Sequence, residues 1–75
     1  MPFRFYTFRL AIEAEALLGV YRGELARLSV LTEQGVRVEL AISHLRPFIQ
    51  RNGVHGRFRL KTDENHRFLD LERLA

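Results

Sequence analysis

The chain has no cysteine and no tryptophan, and its only serines are Ser29 and Ser43. Without cysteine there is neither a disulfide nor a thiolate metal site, and a reducing, cytoplasmic setting fits best. Neither serine lies in the glycine-flanked elbow that exposes a nucleophile. Ser43 and His44 do not form a catalytic pair, because helix neighbours point about 100° apart; Ser43 is better used as a helix cap. No apolar run approaches the ~20 residues that span a bilayer. The N-terminus, "MPFRFYTFRL", is interrupted by Arg4 and Arg9 and lacks the apolar core of a secretory signal. A soluble, unexported chain is expected. No phosphate loop, nucleotide fingerprint, calcium loop, internal repeat or low-complexity tract occurs.

What is present describes one small domain over residues 1–75, near the lower limit for folding without staples. Hydrophobic residues make up 47% and charged residues 28%, a globular composition. Formal net charge is +3 and the pI about 10.2. A basic balance favours an anionic partner such as nucleic acid. The bias is modest, because nine acids are mixed among twelve bases, and a solvated, mixed-sign surface accounts for it.

Periodicity divides the chain into short elements. "FRFYTFRL" at 3–10 reads as a strand with Phe3 and Phe5 on one face and Tyr6, Phe8 and Leu10 on the other. Apolar groups on both faces predict a strand covered on both sides or central in a sheet. Over 12–21, Ile12, Ala16 and Val20 recur four apart, with Leu17, Leu18 and Tyr21 widening the stripe, which predicts a helix. Glu13 and Glu15 would lie at its start, and Gly23 would end it. Strands at 25–31 and 36–42, joined by "TEQG", form a hairpin. Ala26, Leu28 and Val30 face in from the first strand, and Val36, Val38, Leu40 and Ile42 from the second. Ser43 would cap a short helix with His44, Leu45, Arg46 and Pro47 in its first turn, and Ile42, Leu45, Phe48 and Ile49 would form its apolar face. Asn52 and Gly53 turn the chain into a strand at 54–61, and "TDENH" leads to a last strand at 67–74.

The fold class expected is α+β: an antiparallel sheet of four to five strands in the order β-α-β-β-short α-β-β, with one helix packed on it. A small curved, barrel-like sheet is the alternative.

Arg57, Arg59 and Lys61 share one strand face and resemble a phosphate-binding row. Keeping both apolar sets inward sets Leu60 opposite Leu69 and Phe58 opposite Leu71. Arg59 then meets Asp70 and Arg57 meets Glu72, so the row is largely neutralised across the hairpin. Phe68 would lie on the same outer face opposite Lys61, as an aromatic available for base stacking. Against nucleic acid, the aromatic signature of RNA-recognition motifs is absent. "GVHG" at 53–56 matches a clamping GxxG loop in letters only. His44, His55 and His66 recur every eleven residues, a spacing no common metal motif uses. Acids and histidines give no sign of a catalytic cluster, and a domain this small has little room for a substrate pocket. No cofactor, metal, membrane or small-molecule substrate is indicated, and no enzyme is expected.

"YRG" at 21–23, "LRPFI" at 45–49 and "NGVHGRFRL" at 52–60 together resemble a family of small proteobacterial proteins of unknown function. The family is marked by Tyr-x-Gly, Leu-Arg-Pro-Phe and Gly-[Ile/Val]-x-Gly-x-Phe elements. The resemblance covers nearly the whole chain and implies a fold type and a bacterial cytoplasmic setting, with no activity. Its signature falls on Tyr21, Gly23, Leu45, Arg46, Pro47, Phe48, Gly53, Gly56 and Phe58. Most of these are structural by residue chemistry. Arg46 stands out, because the first turn of a helix disfavours a cation; pairing with Glu24 or Glu39 would explain it.

Two functions follow. The first is a small non-catalytic interaction module with a protein partner or as a homodimer. The second is an accessory protein that binds RNA or single-stranded DNA. Candidate binding residues are Arg46, Arg57, Arg59, Lys61 and Phe68.

Overall fold

The computed structural model describes residues 2–23 and 26–75, with the side chains of residues 20 and 21 outside that description. Strand β1 runs from Phe3 to Glu13, β2 from Arg27 to Leu31, β3 from Arg37 to Ala41, β4 from Gly53 to Asp63 and β5 from Phe68 to Arg73. All pairing is antiparallel. The strands form two sheets rather than one: a three-stranded sheet in the order β1-β4-β5, and the β2-β3 hairpin. Among the described residues neither sheet closes into a barrel.

β1 is longer than its aromatic run, because alternation continues through Leu10 and Ile12. It pairs with β4 along its whole length, from Phe3 opposite Asp63 to Glu13 opposite Gly53. The helix expected over 12–21 is therefore displaced. Ile12 faces inward opposite Val54, and the strand takes residues 12 and 13. What remains is a 3-10 turn, Ala14–Leu17, and one α-helical turn, α1, Leu18–Tyr21. Leu17 is buried there; Leu18, expected on the buried stripe, is exposed. The expected inward position of Val20 and Tyr21 lies outside the described side chains. Gly53 permits the bend after β1: a Cβ on it would stand 1.9 Å from the carbonyl oxygen of Ile12.

The central hairpin forms as expected, and its register sets Leu28 opposite Leu40 and Val30 opposite Val38. Its expected start at Leu25 lies outside the described residues. Val36 is exposed rather than inward. It belongs to the turn, where the Thr32 hydroxyl donates to its carbonyl at 2.7 Å.

The expected short helix is a 3-10 helix, Ile42–Phe48, with Ala41 and not Ser43 at its N-cap. Ile42, Leu45 and Phe48 lie three apart, the period at which 3-10 side chains eclipse. Ile42 and Leu45 are buried, and Phe48 packs edge-on against Phe58 with ring centroids 5.3 Å apart. The core lies between the inner face of the three-stranded sheet, the hairpin and this helix. Phe8 and Phe58 stack at its centre, 6.1 Å apart.

The hairpin turn joins the two sheets. Glu33 N–H donates to the Thr7 carbonyl at 2.7 Å, and Thr7 N–H donates to Gln34 Oε1 at 3.0 Å. The turn thus occupies part of the outer edge of β1. No helix is long and apolar enough to cross a membrane among the described residues.

Candidate functional site

The C-terminal hairpin pairs two residues away from the expected register. Leu60 meets Leu71, Arg59 meets Glu72, Lys61 meets Asp70 and Thr62 meets Phe68, with a bulge beside Lys61 and Thr62. The bulge adds Leu69 to β5, so Phe68 and Leu71 both turn inward while Asp70 and Glu72 stay outward. Leu69, expected in the core, is exposed.

This corrects the role given to Phe68. It is half-buried, packs against the core, and stacks on His44 with centroids 3.6 Å apart and ring planes 11° from parallel. It does not share the outer face with Lys61. The aromatics on that face are Phe3 and Phe5, exposed at 40% and 45%. Antiparallel partners point to the same side, so β1 sets Phe5 beside Lys61 and Thr7 beside Arg59. Lys61 Nζ lies 4.2 Å from the Phe3 ring centre, and the Arg59 guanidinium 5.4 Å from that of Phe5. Such cation–π contacts contribute about 0.5–1 kcal/mol at exposed sites. β1 is an edge strand with an open outer face, not the covered or central strand its two apolar faces suggested; β4 is central.

The two arginines of the row are held by acids, but neither by the partner expected, and Lys61 lies over Phe3 with no ion pair among the described residues. Arg59 pairs with Glu72. Arg57 reaches Glu33 in the β2-β3 turn through a bidentate contact, Nε to Oε2 and Nη2 to Oε1, each at 2.8 Å. That hydrogen bonding holds the Glu33 carboxyl below the usual carboxylate range and raises the Arg57 guanidinium. The outer face is therefore an interleaved field: two phenyl rings, a central cationic row, and carboxylates on both flanks.

Arg46 is not part of it. It is exposed in the last turn of the 3-10 helix, where a cation suits the helix dipole. The electrostatic anomaly that singled it out is therefore absent. Glu39, one proposed partner, pairs instead with Arg27 at 3.6 Å; Glu24, the other, lies outside the described residues.

The histidines part company. His55 Nε2 lies 3.2 Å from Glu13 Oε1 across β4 and β1. His44 and His66 come together on a second feature, a groove of about 560 Å³ between β3 and the three-stranded sheet. Among the described residues no three His, Cys, Asp or Glu side chains gather as a metal would require.

Residue spacing had already put Phe3 and Phe5 on one face. What it lacked was β1's position at the sheet edge, which depends on long-range pairing. Glu33 as partner of Arg57 lies 24 residues away and carries no local signal.

A family model described as a protein of unknown function (DUF2835) matches residues 4–74. The chain belongs to this family. No curated protein and no solved structure matches the chain. A small family of unknown function is what the sequence elements implied. Two of its glycines have direct structural grounds: Gly53, as above, and Gly56, where a Cβ would stand 2.6 Å from the Ala75 carbonyl oxygen.

Proposed function

We propose that this member of DUF2835 is a small non-catalytic interaction module. In this reading it binds protein through the outer face of β1 and β4, with a second copy of the chain as the partner. The observation that carries the reading is the pair of exposed phenylalanines, Phe3 and Phe5, with Lys61 and Arg59 seated over their rings. Aromatic and arginine side chains are the usual anchors of protein interfaces. The mixed signs on the face favour self-association: a patch with a cationic row beside an acidic one is complementary to its own copy across a two-fold axis. The edge of β5 is a poorer interface. Its bulge and its Asp70, Glu72 and Arg73 are features that discourage edge pairing.

Single-stranded RNA or DNA is the second reading, because the same rings and cations suit base stacking and phosphate contact. Asp63, Asp70 and Glu72 on that face work against it. Sedimentation over a range of concentrations tests the first reading. The expected result is a dimer that Phe5→Ser converts to monomer. A monomer at every concentration would count against it. Single-stranded oligonucleotide binding that weakens steeply with salt, and is lost in Arg59→Glu/Lys61→Glu, would move the assignment to nucleic acid.

A further inference from the structure

β3 has a strand on one side only. The backbone bonds Thr32 N–H to Val36 O and Ile42 N–H to Ala26 O, each 2.9 Å, fix which residues of β3 face β2. In an antiparallel ladder bonded and non-bonded pairs alternate. Val38 and Leu40 therefore bond to β2, and the N–H groups of Arg37, Glu39 and Ala41 point the other way. No strand lies there among the described residues. What lies there is the groove of about 560 Å³, which runs along β3 from Arg37 to Ala41. Tyr6, Leu60 and Phe68 line it from the three-stranded sheet, and Arg27, His44 and His66 also border it.

Further observations state what would fit. The groove carries two arginines and two histidines against one acid, Glu39, which is already paired with Arg27. Arg37 has no ion-pair partner among the described residues. His66 holds its place in a left-handed backbone conformation, φ 65°, which a non-glycine residue adopts only at a cost. The turn supporting it is pinned by Asp63 Oδ1, which accepts from Asn65 N–H at 2.8 Å and Arg67 N–H at 2.9 Å.

We propose that this groove accepts an extended acidic peptide, which adds as a third strand to the open edge of β3. Main-chain bonds to Arg37, Glu39 and Ala41 supply register, and alternate side chains supply selectivity. Those turned inward meet Tyr6, Leu60 and Phe68; those turned outward meet Arg37 and pass Glu39, whose charge Arg27 offsets. The five residues of β3 offer about 17 Å of edge at ~3.3 Å per residue, the length of an ordinary strand. This site is separate from the Phe3–Phe5 face and does not depend on the reading given to it.

Amide hydrogen exchange of the full chain, followed by NMR, tests it. The probe is a blocked eight-residue peptide alternating valine and glutamate; controls are its lysine counterpart and a version N-methylated at alternate amides. At saturation the acidic peptide should slow exchange at Arg37 and Glu39 tenfold or more, with the controls inert. Glu39→Pro, which deletes an outward N–H without touching the β2 ladder, should abolish binding, and Glu39→Ala should keep it. If the proline variant does not fold, the N-methylated peptide decides alone. Unchanged exchange at millimolar peptide would overturn the proposal, as would binding that survives N-methylation. Protection that rises with protein concentration and no peptide would give the edge to a second copy instead. Repeating the titration in Phe5→Ser separates this outcome from that of the outer face.

Discussion

The two faces of the three-stranded sheet are built from the same strands and the same residue types, yet they do opposite things. On the inner face Phe8 and Phe58 are fully buried and stacked. On the outer face Phe5 and Phe3, three and five residues before Phe8 on the same β1, stand open with cations over them. Alternation explains why each ring points where it does; it does not explain why the outward ones are phenylalanine. The inner rings hold the fold, so the outer rings are free to serve something else. The contrast between them is the structural basis for reading the outer face as a contact surface.

The largest expected effect breaks the inner side. Phe58→Ala removes a ring that touches both Phe8 and Phe48. The loss should be about 3–5 kcal/mol. A domain of this size holds on the order of 5 kcal/mol in total. Chemical denaturation should find the variant largely unfolded. Gly53→Ala comes next. It forces a side chain into a left-handed position, φ 113°, against the Ile12 carbonyl. Roughly 2–4 kcal/mol is expected, read from the same denaturation midpoint.

The outer side should respond in a different observable. Phe5→Ser is expected to cost less than about 1 kcal/mol, because an exposed edge-strand residue packs little, while it abolishes association in sedimentation. If instead it destabilises as Phe58→Ala does, the two faces are alike and the outer rings are structural. Smaller again is the cross-strand pair Arg59–Glu72. A double-mutant cycle with Arg59→Ala and Glu72→Ala should give a coupling of roughly 0.2–1 kcal/mol. The same cycle on Arg59 and Asp70 should give none, which distinguishes the bulged register from the simpler one.

That register shows where local pattern stops being enough. Leu69 and Leu71 are equally good inward candidates by alternation, and Phe68 breaks the tie only if a bulge is allowed. A bulge costs one unpaired residue and buries one more ring, and no spacing rule announces it. Ile42, Leu45 and Phe48 are the opposite case: their three-residue spacing suits a 3-10 helix, but with Ile49 it suits an α-helix as well, and the α-helical reading misplaced Ser43 and Arg46. Residues 12–21 failed for a third reason. Ile12 and Ala16 fit a helical stripe, but Ile12 also continues the alternation of Tyr6, Phe8 and Leu10, and β4 is long enough to claim it. The central hairpin needed no such arbitration, because Val38 and Leu40 alternate with charged neighbours and the turn is short. For the site, the cationic row was legible; its acid partners were not, because Arg59 pairs two residues out of the expected register and Arg57 pairs outside the hairpin, and the rings beside it were not, because they come from a strand some fifty residues earlier in the sequence.

The smallest effect lies at the seam between the sheets. Glu33 carries its charge to Arg57 from the β2-β3 turn, and the same turn bonds to Thr7 on β1. Its carboxyl is held below its ordinary value of 4.5 chiefly by the Arg57 hydrogen bonds. A group whose folded-state pKa is depressed stabilises fully above its unfolded value and loses that contribution as pH falls through the folded one. Arg57 shifts upward and stays charged throughout, so acid acts on Glu33 alone. Wild type should therefore exceed Glu33→Gln in thermal midpoint near neutrality, by a small margin suited to a solvent-screened pair. The margin should close as pH drops below the usual carboxylate range. The Glu33 carboxyl carbon, followed by NMR, should titrate below the usual carboxylate value of 4.5. Titration at that ordinary value would mean that the seam is not held by this pair. Faster exchange at the Glu33 amide in Glu33→Gln, with the Phe58 amide unchanged, would place the loss at the docking of the hairpin and not in the aromatic core.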